Sequence, residues 1–289
     1  MTPVAVASPR VLLLAHDLRS PGTEELARTV FEVLPPAERE RILRKRVTAD
    51  RTRSLIGRWL ARRAAAWIVG TPWTTLGTGQ HPGGQPYVVA RPQLSLSIAH
   101  SGRYALAAVA LGARVGVDTE QVARVTRLPD DVFLGPGERA ALHAMPQDAE
   151  CRAALWVLKE AAAKLTGQGL RAGLRSIRFE CPGARFPLAA RTPYVAAEFS
   201  AFRLPGGYVA AVGLSAGRPP REPVFVTPPF VRQPWRQEGR TAFMNDPVQQ
   251  NSLGRTDDHL AEPERAPRSD VGRDDDNEEA EQHIWRSVN

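Results

Sequence analysis

Arg114-Val115-Gly116-Val117-Asp118-Thr119-Glu120 is a short apolar run that ends in two carboxylates. Its reading decides the fold, because it starts a new strand and with it a second structural half. Residues two apart on a strand leave the same face, so Asp118 and Glu120 point the same way. Two carboxylates on one face repel each other unless a proton or a cation lies between them. With oxygen ligands only, Mg²⁺ is the natural guest, since it takes one or two carboxylates together with substrate phosphates and water. A bare Asp-x-Glu is more often an exposed, solvated strand edge, so the pair needs support from elsewhere in the chain.

Support comes from the segment running from Asp148 to about Thr166, rich in Ala and Leu and followed by Gly167-Gln168-Gly169, which predicts a helix. Trp156, Glu160 and Lys164 recur at four-residue spacing and share one face of it. A Glu–Lys pair at that spacing is usually an exposed ion pair worth a few tenths of a kcal/mol. Here Leu155, Leu158, Ala162, Ala163 and Leu165 predict a helix buried on much of its circumference. Charged residues on such a helix more often face a site.

Before residue 114, a strand is expected at 10–16 and amphipathic helices across 36–69, with a break near Thr48-Ala49-Asp50. The Gly- and Pro-rich stretch 78–86 reads as loop. Residues 94–99 alternate as a half-buried strand, residues 104–111 form another, and His100-Ser101-Gly102 is the turn between them. After the long helix, strands are expected at 176–181, 194–203 and 207–214. The fold class is therefore α+β, in two halves, residues 1–113 and 114–216, without a visible sequence repeat. Residues 217–234 are crowded with Pro and the remainder is polar and aperiodic, so 217–289 is expected to be a disordered tail.

The 289 residues carry a formal net charge of +7, unevenly spread. Residues 233–289 hold 7 Arg and 13 Asp plus Glu, which leaves 31 basic and 18 acidic residues in the rest. A basic body suits anionic partners: phosphates, acidic proteins or nucleic acid. Lys occurs only at 45, 159 and 164 in a chain that otherwise uses Arg, so a compact ammonium is wanted near 160. No apolar run approaches the ~20 residues of a membrane span. Val11-Leu12-Leu13-Leu14-Ala15 is a buried strand rather than a signal peptide. Cys151 and Cys181 match no metal-ligand spacing and read as free thiols of a reducing, cytoplasmic compartment.

Gly116-Val117-Asp118-Thr119-Glu120, followed about forty residues later by Trp156-Val157-Leu158-Lys159-Glu160-Ala161-Ala162-Ala163-Lys164, resembles the paired signature of 4′-phosphopantetheinyl transferases. Lesser matches fall in the same order. Ser54-Leu55-Ile56-Gly57-Arg58-Trp59-Leu60-Ala61-Arg62 resembles the family's first-half helix. Gly84-Gln85-Pro86-Tyr87 and Ser97-Ile98-Ala99-His100-Ser101-Gly102 resemble its Gly-Lys-Pro and Ser-His-Ser-Gly elements. The resemblance covers residues 10–215, in the monomeric form typified by the surfactin-synthetase-activating enzyme.

The resemblance implies two similar α+β halves related by pseudo-two-fold symmetry. It implies transfer of the 4′-phosphopantetheine arm of coenzyme A to a serine of an apo acyl or peptidyl carrier protein, with release of 3′,5′-ADP. Asp118, Glu120 and Glu160 would hold Mg²⁺ on the CoA pyrophosphate. Glu160 would also deprotonate the carrier serine, directly or through a metal-bound water, and Lys164 would neutralise the leaving group. Arg41, Arg53, Gln85 and His100 would contact CoA. Arg41 keeps the charge of the usual lysine, whereas Gln85 replaces a lysine and Ala99 a serine, both substitutions expected to weaken CoA binding. A scaffold without activity is disfavoured because all four residues of the metal and phosphate site are intact. Nucleic-acid binding through the arginine-rich helices is disfavoured because no stacking aromatics or known module accompany them.

Overall fold

Tyr104-Ala105-Leu106-Ala107-Ala108-Val109-Ala110-Leu111 is apolar at every position, the pattern of a strand covered on both faces. The computed structural model describes residues 10–81, 84–144, 148–167, 173–179 and 186–227, and places this segment at the centre of the first half. In chain order the first half contains β1 (Arg10–Asp17), α1 (Thr23–Val33), α2 (Pro36–Leu43), α3 (Thr48–Val69), β2 (Thr78–Gln80), β3 (Pro86–Val88), β4 (Leu94–Ser101) and β5 (Tyr104–Leu111). The second contains β6 (Val115–Gln121), three short helices α4 (Val122–Val125), α5 (Asp130–Phe133) and α6 (Pro136–His143), the long α7 (Asp148–Thr166), then β7 (Leu188–Thr192), β8 (Val195–Leu204) and β9 (Tyr208–Leu214).

The halves repeat one plan that their sequences do not display. In the first, β5 lies between β1 and β4, antiparallel to both, and α3 packs across all three. In the second, β9 lies between β6 and β8 in the same way, with β7 added at the edge, and α7 packs across β6, β8 and β9. Each sheet is filled on both faces by strict alternation. On β5, Ala105, Ala107 and Val109 face α3, while Tyr104, Leu106, Ala108 and Ala110 face the other sheet. On β9, Val209 and Ala211 face α7, while Tyr208, Ala210, Val212 and Leu214 meet the first half. The molecule is thus layered helix, sheet, sheet, helix, with one core under each long helix and a third between the sheets.

Several expectations shift by a few residues. His100 and Ser101 are the last residues of β4, not a turn; the turn is Gly102-Arg103, with Gly102 at φ 46°. The break in the first helical segment falls at 44–47 rather than 48–50. The loop at 78–86 includes the small β2–β3 hairpin. No strand occupies 176–179; Leu174–Ser176 is a single 3₁₀ turn, and 180–185 lie outside the described residues.

The tail needs a correction. β10 (Val224–Phe225) adds in parallel to the outer edge of β1, so the fold runs past 216 to Thr227. Val226 N–H donates to Ala15 O at 2.9 Å, and the fully buried His16 ring contacts Val226 O through Nδ1 (2.7 Å) and Thr23 Oγ1 through Nε2 (2.9 Å). A Pro-rich stretch can hold such an edge position, because only one side of it must pair. The rest of the expected tail, 228–289, lies outside the described residues, as does Cys181; Cys151 is fully buried. Among the described residues no helix is long and apolar enough to cross a membrane.

Candidate functional site

β6 is the edge strand of its sheet, and α7 lies directly on it. Gly116 makes this close approach possible. A Cβ at that position would stand 2.0 Å from Ala161 O and 2.7 Å from Leu165 N. With the helix this near, the face of β6 carrying Gly116, Asp118 and Glu120 meets the face of α7 carrying Glu160 and Lys164. Lys164 Nζ donates to Asp118 Oδ1 at 2.7 Å. Asp118, Glu120 and Glu160 are all buried, at 3%, 7% and 1% exposure.

Three carboxylates gather in one buried cluster, where Lys164 pairs directly with Asp118. Burial raises the pKa of Glu160 above the usual carboxylate range, and the charge of Asp118 raises it further. Asp118 is also raised by burial, though Lys164 pulls it back. Both carboxylate oxygens of Glu160 are buried, and no hydrogen-bond partner for them lies among the described residues. A buried carboxylate that nothing donates to is costly, and a cation is what would satisfy it. Among the described residues no three His, Cys, Asp or Glu side chains enclose a metal position. Asp118 is turned to Lys164, and Glu120 Oε1 accepts from Gln121 N–H at 2.8 Å and from the Ser101 hydroxyl. The donor set itself, oxygen only and anionic, fits a hard divalent cation such as Mg²⁺.

The first half meets this cluster along β4. Lys164 Nζ also lies 3.5 Å from Ile98 O, so it spans the seam between the halves. Residues 94, 96, 98 and 100 of β4 face α3, which puts His100 beside the start of that helix. Burial lowers the His100 pKa to about 4, and the cations Lys164, Lys45 and Arg53 lower it in the same sense. His100 is therefore a neutral imidazole in a positively charged corner, the setting into which an anion fits. Arg53 packs there by donating to Gly102 O at 3.4 Å while pairing with Asp50.

The other expected contacts fall elsewhere. Arg41 groups with Arg58, Arg62 and Glu38; its Nε is buried with no partner among the described residues, whereas Arg62 pairs with Glu38 at 2.6 Å. Gln85 reaches the end of α7, its Oε1 only 2.7 Å from where a Cβ on Gly167 would be. Ala99 points into the core between the sheets, on the opposite face of β4 from His100. The hydroxyl missing there is thus missing from the seam, and the neighbouring Thr119 N–H serves the Asp118 carboxylate instead. Lys159, beside Glu160 in sequence, takes no part in the cluster. It is fully buried and donates to Glu138 (2.6 Å), Phe133 O (2.8 Å) and Leu174 O (3.2 Å), tying α7 to α5 and α6. Lys45 and Ser101 were missed by the sequence reading, and only the uneven use of lysine pointed towards the former.

Comparison with known proteins matches both halves separately. Residues 114–212 fit the model of the 4′-phosphopantetheinyl transferase superfamily, and residues 20–111 fit that of the 4′-phosphopantetheinyl transferase N-terminal region. The chain belongs to the 4′-phosphopantetheinyl transferase superfamily. It is 33% identical over 141 residues to a 4′-phosphopantetheinyl transferase of Bacillus subtilis, covering 48% of this chain and 62% of that protein. It is 32% identical over 150 residues to one of Bacillus pumilus (50% and 61%). An L-aminoadipate-semialdehyde dehydrogenase-phosphopantetheinyl transferase of Eremothecium gossypii is 31% identical over 156 residues (51% and 56%). The matched region spans roughly three fifths of the length of these relatives. The two matched regions fall one on each half, each region taking in that half's long helix, α3 or α7.

Proposed function

We propose that the chain is a Mg²⁺-dependent 4′-phosphopantetheinyl transferase, moving the phosphopantetheine arm of coenzyme A onto a serine of an apo carrier protein. The observation that carries this is Glu160: two buried carboxylate oxygens, with no hydrogen-bond partner among the described residues, beside Asp118 and Lys164, at the seam where His100 and its cations converge. Asp118, Glu120 and Glu160 would hold the metal, which when bound supplies charge stabilisation to the pyrophosphate. His100, with Lys45 and Arg53 around it, would receive a CoA phosphate. The carrier serine Oγ attacks the phosphorus attached to pantetheine, and the bond from that phosphorus to the bridging oxygen breaks to release 3′,5′-ADP. Glu160 would take the serine proton, directly or through a water, and the ammonium of Lys164 would stabilise charge gathering on the departing phosphate. The basic body suits both CoA and an acidic carrier.

Incubation of the chain with CoA, Mg²⁺ and an apo carrier protein should add one phosphopantetheine mass to the carrier, read by mass spectrometry. Asp118→Ala should slow transfer by about 100-fold or more while leaving the melting transition cooperative. No mass shift with a panel of fatty-acid, polyketide and nonribosomal-peptide carriers would overturn the proposal. Binding of CoA without turnover would instead make the chain a scaffold.

A further inference from the structure

Ser95, Ser97, Ala99 and Ser101 alternate along β4, so all four side chains leave the face turned towards β6. As an edge strand, β6 has N–H groups on its outer side with no strand to receive them. Ser95 Oγ accepts from Val115 N–H at 3.1 Å and Ser97 Oγ from Val117 N–H at 3.0 Å. Two hydroxyls of the first half thus close the open edge of the second, each such bond contributing about 1 kcal/mol. Ser101, at the end of the series, does something different. Only 2% exposed, it donates to a side chain, the Oε1 of Glu120.

We propose that Ser101 is a positioning residue for the cation site, an inference that rests on the metal reading given above. Glu120 Oε1 receives two donors from opposite sides of the seam, the Ser101 hydroxyl and the Gln121 N–H. A carboxylate held by two donors at one oxygen loses rotation about its last bond, so its plane is set before any ligand arrives. The donor from the first half comes from the residue next to His100. The group that orients a metal ligand and the group that meets the phosphate are therefore neighbours on one strand end.

Binding of Mn²⁺ to the full-length protein, without CoA or carrier, reads this out independently of turnover, by the electron spin resonance signal of free Mn²⁺. Ser101→Ala should weaken Mn²⁺ binding about 10-fold, the usual scale for removing a hydrogen bond to a metal ligand. Ser101→Thr, which keeps the hydroxyl, should retain most of the affinity. Ser97→Ala removes an equally buried hydroxyl from the same series; it should lower the melting temperature and leave Mn²⁺ affinity unchanged. Unaltered binding in Ser101→Ala, or equal weakening in Ser97→Ala, would overturn the inference and leave the metal reading standing. Failure of the unsubstituted protein to bind Mn²⁺ would overturn both.

Discussion

Glu160 is held in its place at a cost, and the sign of that cost can be measured. Its raised pKa means that, between about pH 4.5 and about 8, the folded metal-free protein keeps a proton that the unfolded chain gives up. Stability without metal should therefore fall as pH rises through that window. Glu160→Gln removes the penalty. In EDTA at pH 8 it should be more stable than the parent by about 1–2 kcal/mol, or about 5 °C in Tm, with no advantage at pH 4.5. Added Mg²⁺ should reverse the order at pH 8, because only the carboxylate gains from the ion. Parallel pH slopes for the two proteins in EDTA would show that Glu160 is not the strained group. At this scale the sequence was highly legible. Asp118, Glu120, Glu160 and Lys164 were singled out by spacing and resemblance, and the structure brings them together in space. Ser101 and Lys45 were not, since nothing local in the chain announces a contact made across 19 residues or an electrostatic neighbour on another element.

Among the elements, β6 and α7 form the pair on which the site depends, and Gly116 sets their distance. Gly116→Ala drives a methyl group into the α7 backbone, which cannot yield as a flexible side chain would. The substitution should cost about 3 kcal/mol in urea unfolding, and the folded fraction should lose the proposed transfer activity because Lys164 and Glu160 retreat from Asp118. A loss of activity with unchanged stability would mean that the pair separates without cost, contrary to this account. Elements with strong periodicity were readable: β1, β4, β5, β9 and α7 lie within a few residues of expectation. α1 was not anticipated, because the residue that leads into it is Gly22, in a left-handed conformation and with no side-chain cap to signal a start. β7 and β10 escaped for a related reason. Little in them marks a strand: β10 is two exposed residues, and β7 buries only Leu188 and Thr192 of its five.

For the whole molecule, the decisive fact is that the two halves form a single unit with a shared core. Leu13, Ala15, Leu106 and Ala108 from one half pack with Val115, Val117, Val212 and Leu214 from the other. The seam between the two sheets also carries Lys164 and the serine contacts, so neither half should hold the site alone. The same scale governs where the chain can be shortened. A form ending at residue 227 keeps every described residue. One ending at 216 loses β10 and leaves His16 Nδ1 without Val226 O, and should be less stable by about 3 kcal/mol in chemical denaturation. Coincident transitions for the two would show that the strand is an ornament on the sheet. Why the repeat of plan was invisible in sequence is also clear at this scale. It resides in strand order, which many apolar sequences satisfy, and only one of the two long helices carries the charged cluster.

β10 also bears on how the protein comes into being. A ribosome releases the chain from its amino end, yet the outer strand of the first sheet is supplied by residues 224–225, after all of the second half has been made. Throughout synthesis β1 has an unmatched border, and His16 waits for an acceptor that lies 210 positions downstream. The later-made half can settle first, with the earlier-made one finished last. An interrupted translation product reaching only β9 would therefore carry every residue of the proposed metal site packed against a first sheet whose outer flank is open and adhesive.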